Sequence, residues 1–136
     1  MVLGFDGCFS GDTTALVAVS VGPEARVQVV ELWEPTAGNQ APINDVEEAI
    51  RTACRRWRVR EIIADPFRWA RSVHLLAGEG PPVAEFPQSP EHMTPATARF
   101  YEAVVNRQLH HDGDHRLAAH VAHAVARTDS RGTRIT

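Results

Sequence analysis

The sequence has 136 residues, 43% of them hydrophobic and 23% charged, with a formal net charge of −3. These proportions belong to one globular domain that buries about two-thirds of its extended-chain surface, which excludes a disordered chain and a need for disulfide or metal staples. The mild acidity does not announce a basic nucleic-acid module; all fourteen cations are arginine, and the lack of lysine excludes a Walker A phosphate loop and any Schiff-base lysine. In chain order, Val2 to Asp6 reads as a short strand ending in an acid, followed by the turn-rich stretch from Gly7 to Asp12. Thr13 to Ser20 is apolar and β-branched, and Ala25 to Trp33 alternates apolar and polar residues after a Gly22-Pro23 turn. The short connections favour an antiparallel meander of three strands, because a parallel return needs a crossover of a dozen residues or more.

Residues 34 to 42 are rich in Pro, Gly and Asn and read as a loop. Val46, Ala49, Ile50, Ala53, Cys54 and Trp57 then recur at intervals of three and four, with acids early and arginines late, as in an amphipathic helix whose charges suit its dipole. Val59 to Ala64 reads as a strand stopped by Asp65-Pro66. Phe67 to Leu76 reads as a helix, Val83 to Phe86 as a brief strand, and Thr94 to Leu109 as a helix with Pro95 in its first turn. His110 to Asp114 is expected to be a turn, Leu117 to Ala126 a helix, and Arg127 to Thr136 a fraying tail. The pattern predicts an α/β fold: a mixed sheet, three antiparallel strands followed by parallel ones, flanked by helices. No apolar run approaches the ~20 residues of a membrane helix, and the N-terminus lacks the basic start of a secretory signal. Two cysteines outside any C-x-x-C pair suit a reducing cytoplasm.

Two acids occupy equivalent places. Asp6 ends the first strand and Asp65 ends the fourth, so if those strands are neighbours their carboxylates converge and repel unless a cation shares them. Hard oxygen ligands favour Mg2+ or Mn2+, and two such ions about 4 Å apart activate water and stabilise the leaving oxygen of a phosphodiester. The plainer reading makes each strand-end aspartate a turn or helix cap. Asp12 reads either as an outer metal ligand or as a turn residue. Arg68, Arg71 and Arg99, with Phe67 and Trp69 interleaved, are suited to hold phosphates beside such a site; alternatively an aromatic packs on the sheet while the arginines are solvated. His120 and His123 share a helical face, without the H-E-x-x-H or cysteine partners of a zinc site. Neither a dinucleotide fingerprint nor a G-x-S-x-G elbow is present.

Taken in order, four stretches resemble the C-terminal nuclease domain of the phage terminase large subunit, an RNase H-like fold. Leu3 to Val17 is similar to that family's first strand, catalytic aspartate and hairpin, and Ile62 to Trp69 to its second aspartate and following helix. Glu85 to Gln88, with Ala98 to Asp114, resembles the stretch before a late helix, and His120 to Ala124 a segment that often carries asparagine where this chain has His123. The resemblance implies a metal-dependent endonuclease that cuts double-stranded DNA during genome packaging in the host cytoplasm, with three acids around two Mg2+ or Mn2+ ions. Asp6 and Asp65 inherit the first two roles, and Asp129, which reads equally well as a turn residue, is the nearest substitute for the third, which the family carries on a later helix. On this view residues 1–136 are a single nuclease domain truncated at its C-terminus, without the ATPase domain; the full protein would meet portal and small terminase. The alternative is a catalytically incomplete module that binds DNA or packaging proteins. A histidine-based transition-metal protein is the third reading.

Overall fold

The computed structural model describes residues 1–7, 13–34, 42–67 and 69–136. A six-stranded sheet forms from β1 (Val2–Asp6), β2 (Thr14–Val19), β3 (Ala25–Trp33), β4 (Glu61–Ala64), β5 (Val83–Glu85) and β6 (Leu109–His111), in the spatial order β5-β4-β1-β2-β3-β6. β2 runs antiparallel to β1 and β3; the β1–β4, β4–β5 and β3–β6 pairs are parallel. The expected mixed sheet is therefore present, with β1 and β4 side by side near its centre.

Strand alternation assigns the two faces. Leu3 and Phe5 of β1, Leu16 and Ala18 of β2, and Ile62 and Ala64 of β4 are buried on one face. Against them packs α1 (Ile43–Arg56) through Val46, Ile50 and Ala53, spaced at i, i+4 and i+7. α2 (Ala70–Ala77) adds Val73 and Leu76. The two helices are tied together: Arg51 Nε and Nη2 donate to Glu79 at 2.7 and 3.0 Å, and Ser72 Oγ donates to Glu47 Oε1 at 2.7 Å. Cys54 is half-buried on α1, and burial pushes its thiol pKa up, the opposite of what a reactive thiolate requires.

Three expectations need correction. The late helix α3 spans Pro90–Val105, so Pro90 rather than Pro95 takes the first-turn place, and Ser89 O accepts the His92 and Met93 amides. Pro95 lies inside the helix on an exposed position, where one lost backbone bond is tolerated. His110 and His111 belong to strand β6 rather than to a turn, because the open edge of β3 offers Ala25 to Val27 as a parallel partner. The tail does not fray. After α4 (His115–His123) it forms the hairpin β7 (Ala126–Asp129) and β8 (Gly132–Ile135), which packs on α3 with the Ile135 amide donating to Thr97 Oγ1 at 3.1 Å. Arg134 is buried there and answered by Asp129 at 2.9 Å.

Asp114 caps α4, accepting the Arg116 and Leu117 amides at 2.8 and 3.4 Å. The Arg116 side chain, then these amides, pull its carboxyl from an ordinary 3.8 to about 2. A depressed folded-state value stabilises the fold above the unfolded value and is lost as pH falls through the folded one. The cap's contribution should therefore fade between about pH 4 and pH 2. In Asp114→Ala this component of the acid-unfolding curve, followed by circular dichroism, should be missing.

Candidate active site

Asp6 and Asp65 meet because of register. Val2 pairs with Glu61, Gly4 lies opposite Ile63, and Phe5 lies opposite Ala64 as the last pair of the parallel ladder, so Asp6 at the end of β1 and Asp65 just past the end of β4 leave neighbouring strands about 4.8 Å apart. Phe5 and Ala64 face the helical core; Asp6 and Asp65 therefore project from the other face of the sheet. There they line one open groove of about 250 Å³ with Gly4, Ala15, Val17, Ile63, Phe86, Gln88 and Met93. Gly4 keeps the floor low: a Cβ there would stand 3.1 Å from Val17 Cγ2, tighter than ordinary packing.

Each carboxylate is held by its own local chemistry. Asp65 Oδ1 accepts the Phe67 amide at 2.9 Å, an Asx turn across Pro66 that fixes the side chain at the mouth of the groove. The capping and functional readings of this aspartate coexist. Asp6 Oδ1 accepts from Gln88 Nε2 at 3.1 Å. Gln88 follows β5, the parallel neighbour of β4, and is held there as the Phe86 amide donates to Ala64 O at 2.8 Å. Gln88 is the site residue that sequence reasoning missed as such. What it shares with Asp65 is only a place just past the end of a parallel strand and next to a proline, Pro87.

The remaining candidates are distributed as follows. Asp12 and Arg68 lie outside the described residues. Arg71 is exposed in the first turn of α2, the helix that follows Asp65, and Arg99 is exposed on α3, whose Met93 reaches the groove. Neither arginine lines the groove itself. Asp129 does not line it either: it closes the β7–β8 turn, with Arg134 foremost, then Arg131, holding its carboxyl well below the usual carboxylate range. Between the aromatics the structure decides plainly, since Trp69 is 1% exposed and Phe67 69%. His120 and His123 are exposed on the last turn of α4, and among the described residues no three His, Cys, Asp or Glu side chains are grouped as a metal site.

No family model matches the sequence. Gene 13 protein of Mycobacterium phage L5 is 28% identical over 137 aligned positions, and that of Mycobacterium phage D29 is 29% identical over the same length. Each match covers 91% of this chain and 23% of the relative. Among solved structures, the large terminase of bacteriophage HK97 superposes with a TM-score of 0.84 over 98% of this chain, at 18% identity. The chain has the fold of part of a phage large terminase. It spans 34% of that terminase and less than a quarter of the curated relatives. In this terminase-like frame the Asp6–Asp65 groove opens at the carboxyl ends of the central parallel strands, where open α/β sheets characteristically bind ligands.

Proposed function

We propose that the chain is the nuclease module of a phage DNA-packaging terminase, a divalent-metal-dependent endonuclease that hydrolyses phosphodiester bonds of double-stranded DNA. The observation that carries this reading is the pair Asp6 and Asp65, side by side on one sheet face and lining one groove. The donor set suits a hard cation: two carboxylates of adjacent strands, with the amide of Gln88 on Asp6. Mg2+ and Mn2+ are held in this way, by one or two carboxylates while waters and substrate phosphate fill the other positions. Asp6 and Asp65 would hold the ion, which supplies Lewis-acid polarisation of the phosphate and a more acidic water. Gln88 orients Asp6, and the Asx turn orients Asp65. The exposed Arg71 and Arg99 are suited to hold the DNA backbone, giving binding without base readout.

A second reading has its own observation. Among the described residues no third acid joins the pair, and Asp129 is engaged by Arg131 and Arg134. A module that binds DNA or packaging proteins without cutting would look the same. Incubating supercoiled plasmid with the chain separates the two: the nuclease nicks and linearises it in Mn2+ or Mg2+ and stops in EDTA, whereas the binding module only retards it. Within the nuclease reading, Gln88→Ala should raise the half-saturating Mn2+ concentration about tenfold, as loss of an outer hydrogen bond to a metal ligand does, with the circular dichroism spectrum unchanged.

A further inference from the structure

Trp69 touches the chain beside both carboxylates. It stands four residues after Asp65, at the N-terminal cap position of α2, and donates its backbone N–H to Pro66 O at 3.2 Å. Its indole is buried beneath the sheet end, edge-on to Phe5 at 5.1 Å between centroids and 80° between planes. Phe5 immediately precedes Asp6. On the other side of Asp6, Gly7 lies flat against the same indole: a Cβ at Gly7 would overlap Nε1 and stand 2.6 Å from both Cδ1 and Cε2. One rigid ring thus contacts the residues flanking Asp6 while its own backbone closes the turn that begins at Pro66, the residue after Asp65. Behind it the core is nearly full, with a void of about 10 Å³ lined by Phe5, Trp69, Val73 and their neighbours, so the ring has little room to retreat.

We infer that Trp69 is a positioning residue, a spacer whose contact with Gly7 and Phe5 sets the separation of the Asp6 and Asp65 carboxylates and thereby the affinity for the divalent ion. This rests on the proposed metal-binding role of the two aspartates. Gly7 is required for space, since any side chain there pushes the end of β1 away from the indole. Groups that orient metal ligands without touching the ion typically change affinity by about 10- to 100-fold when removed.

The test is Mn2+ binding to the whole chain by isothermal titration, with thermal unfolding measured on the same samples. Gly7→Ala and Trp69→Leu should each weaken Mn2+ binding at least about tenfold, while Trp69→Phe, which keeps a ring against Phe5 and Gly7, should stay within about threefold of the wild type. Ala53→Gly, a helix-weakening change at a buried position of α1 that lines neither the groove nor the void behind the indole, should lower the melting temperature and leave Mn2+ affinity unchanged. Wild-type affinity in a folded Gly7→Ala or Trp69→Leu overturns the inference, as does a loss in Ala53→Gly equal to that in Trp69→Leu, which would mean that stability alone is being read. If the wild type binds Mn2+, Asp65→Asn does not, and the Gly7 and Trp69 variants bind normally, the spacer fails and the metal site stands. A wild type that takes up no Mn2+ removes both.

Discussion

Asp6→Asn and Asp65→Asn should each abolish cleavage of plasmid DNA in manganese, a loss of at least about a thousandfold, while the protein stays folded. Either substitution keeps the side-chain shape and the Oδ1 acceptor, so the amide that replaces the Asp6 carboxylate can still accept from Gln88, and the one that replaces Asp65 can still accept from the Phe67 N–H. What disappears is one of two negative charges that line one groove at the ends of neighbouring strands. Without metal those charges repel, and removing one should leave the melting temperature in EDTA equal to or above that of the wild type. With metal the order reverses. Bound Mn2+ stabilises only the folded wild type, so the rise in melting temperature on adding Mn2+ should vanish in both variants. A thermal shift that persists in Asp6→Asn, or cleavage that survives it, would contradict the assignment.

Leu16→Ala carries the second large effect, this time on the fold. Leu16 is fully buried at the middle of β2, opposite Phe5 in the ladder and under α1. Truncation removes its transfer energy and leaves a cavity that a central strand cannot collapse, a cost of about 2–5 kcal/mol. Domains of this size are stable by only about 5–15 kcal/mol, so urea denaturation should show a much lower midpoint with little change in slope. The partly exposed Val17, on the groove face, provides the comparison: Val17→Ala should cost well under half as much.

The sheet was legible because its strands are short, apolar and punctuated. Asp65-Pro66 stops β4, Gly22-Pro23 separates β2 from β3, and the spacing of Val46, Ile50 and Ala53 belongs to one helix face. The two acids were legible for the same reason, since each ends an apolar run. Pairing was a conditional expectation, and the parallel register of β1 on β4 meets the condition. What escaped depends on tertiary context. Leu109–His111 has little intrinsic strand character and is recruited by the free edge of β3. Residues 127–136 read as a polar tail because a hairpin built from Arg127, Arg131 and Arg134 shows no apolar alternation; pairing of Arg131 and Arg134 with Asp129, and packing on α3, make it ordered structure. Gln88 carries no motif, and its role appears only when β5 takes its place beside β4.

Engagement of Asp129 by two arginines bears on catalysis as well as folding. A carboxylate already answered by Arg134 and Arg131 is a poor candidate to join Asp6 and Asp65, and its place at the hairpin turn gives it a structural task. The proposed metal site therefore rests on the pair alone. A crystal of the chain grown or soaked with Mn2+ and measured at the manganese absorption edge tests it most directly. An anomalous peak is expected in the groove within coordination distance of both the Asp6 and the Asp65 carboxylates. Its absence there, or a peak touching only one of them, would contradict it.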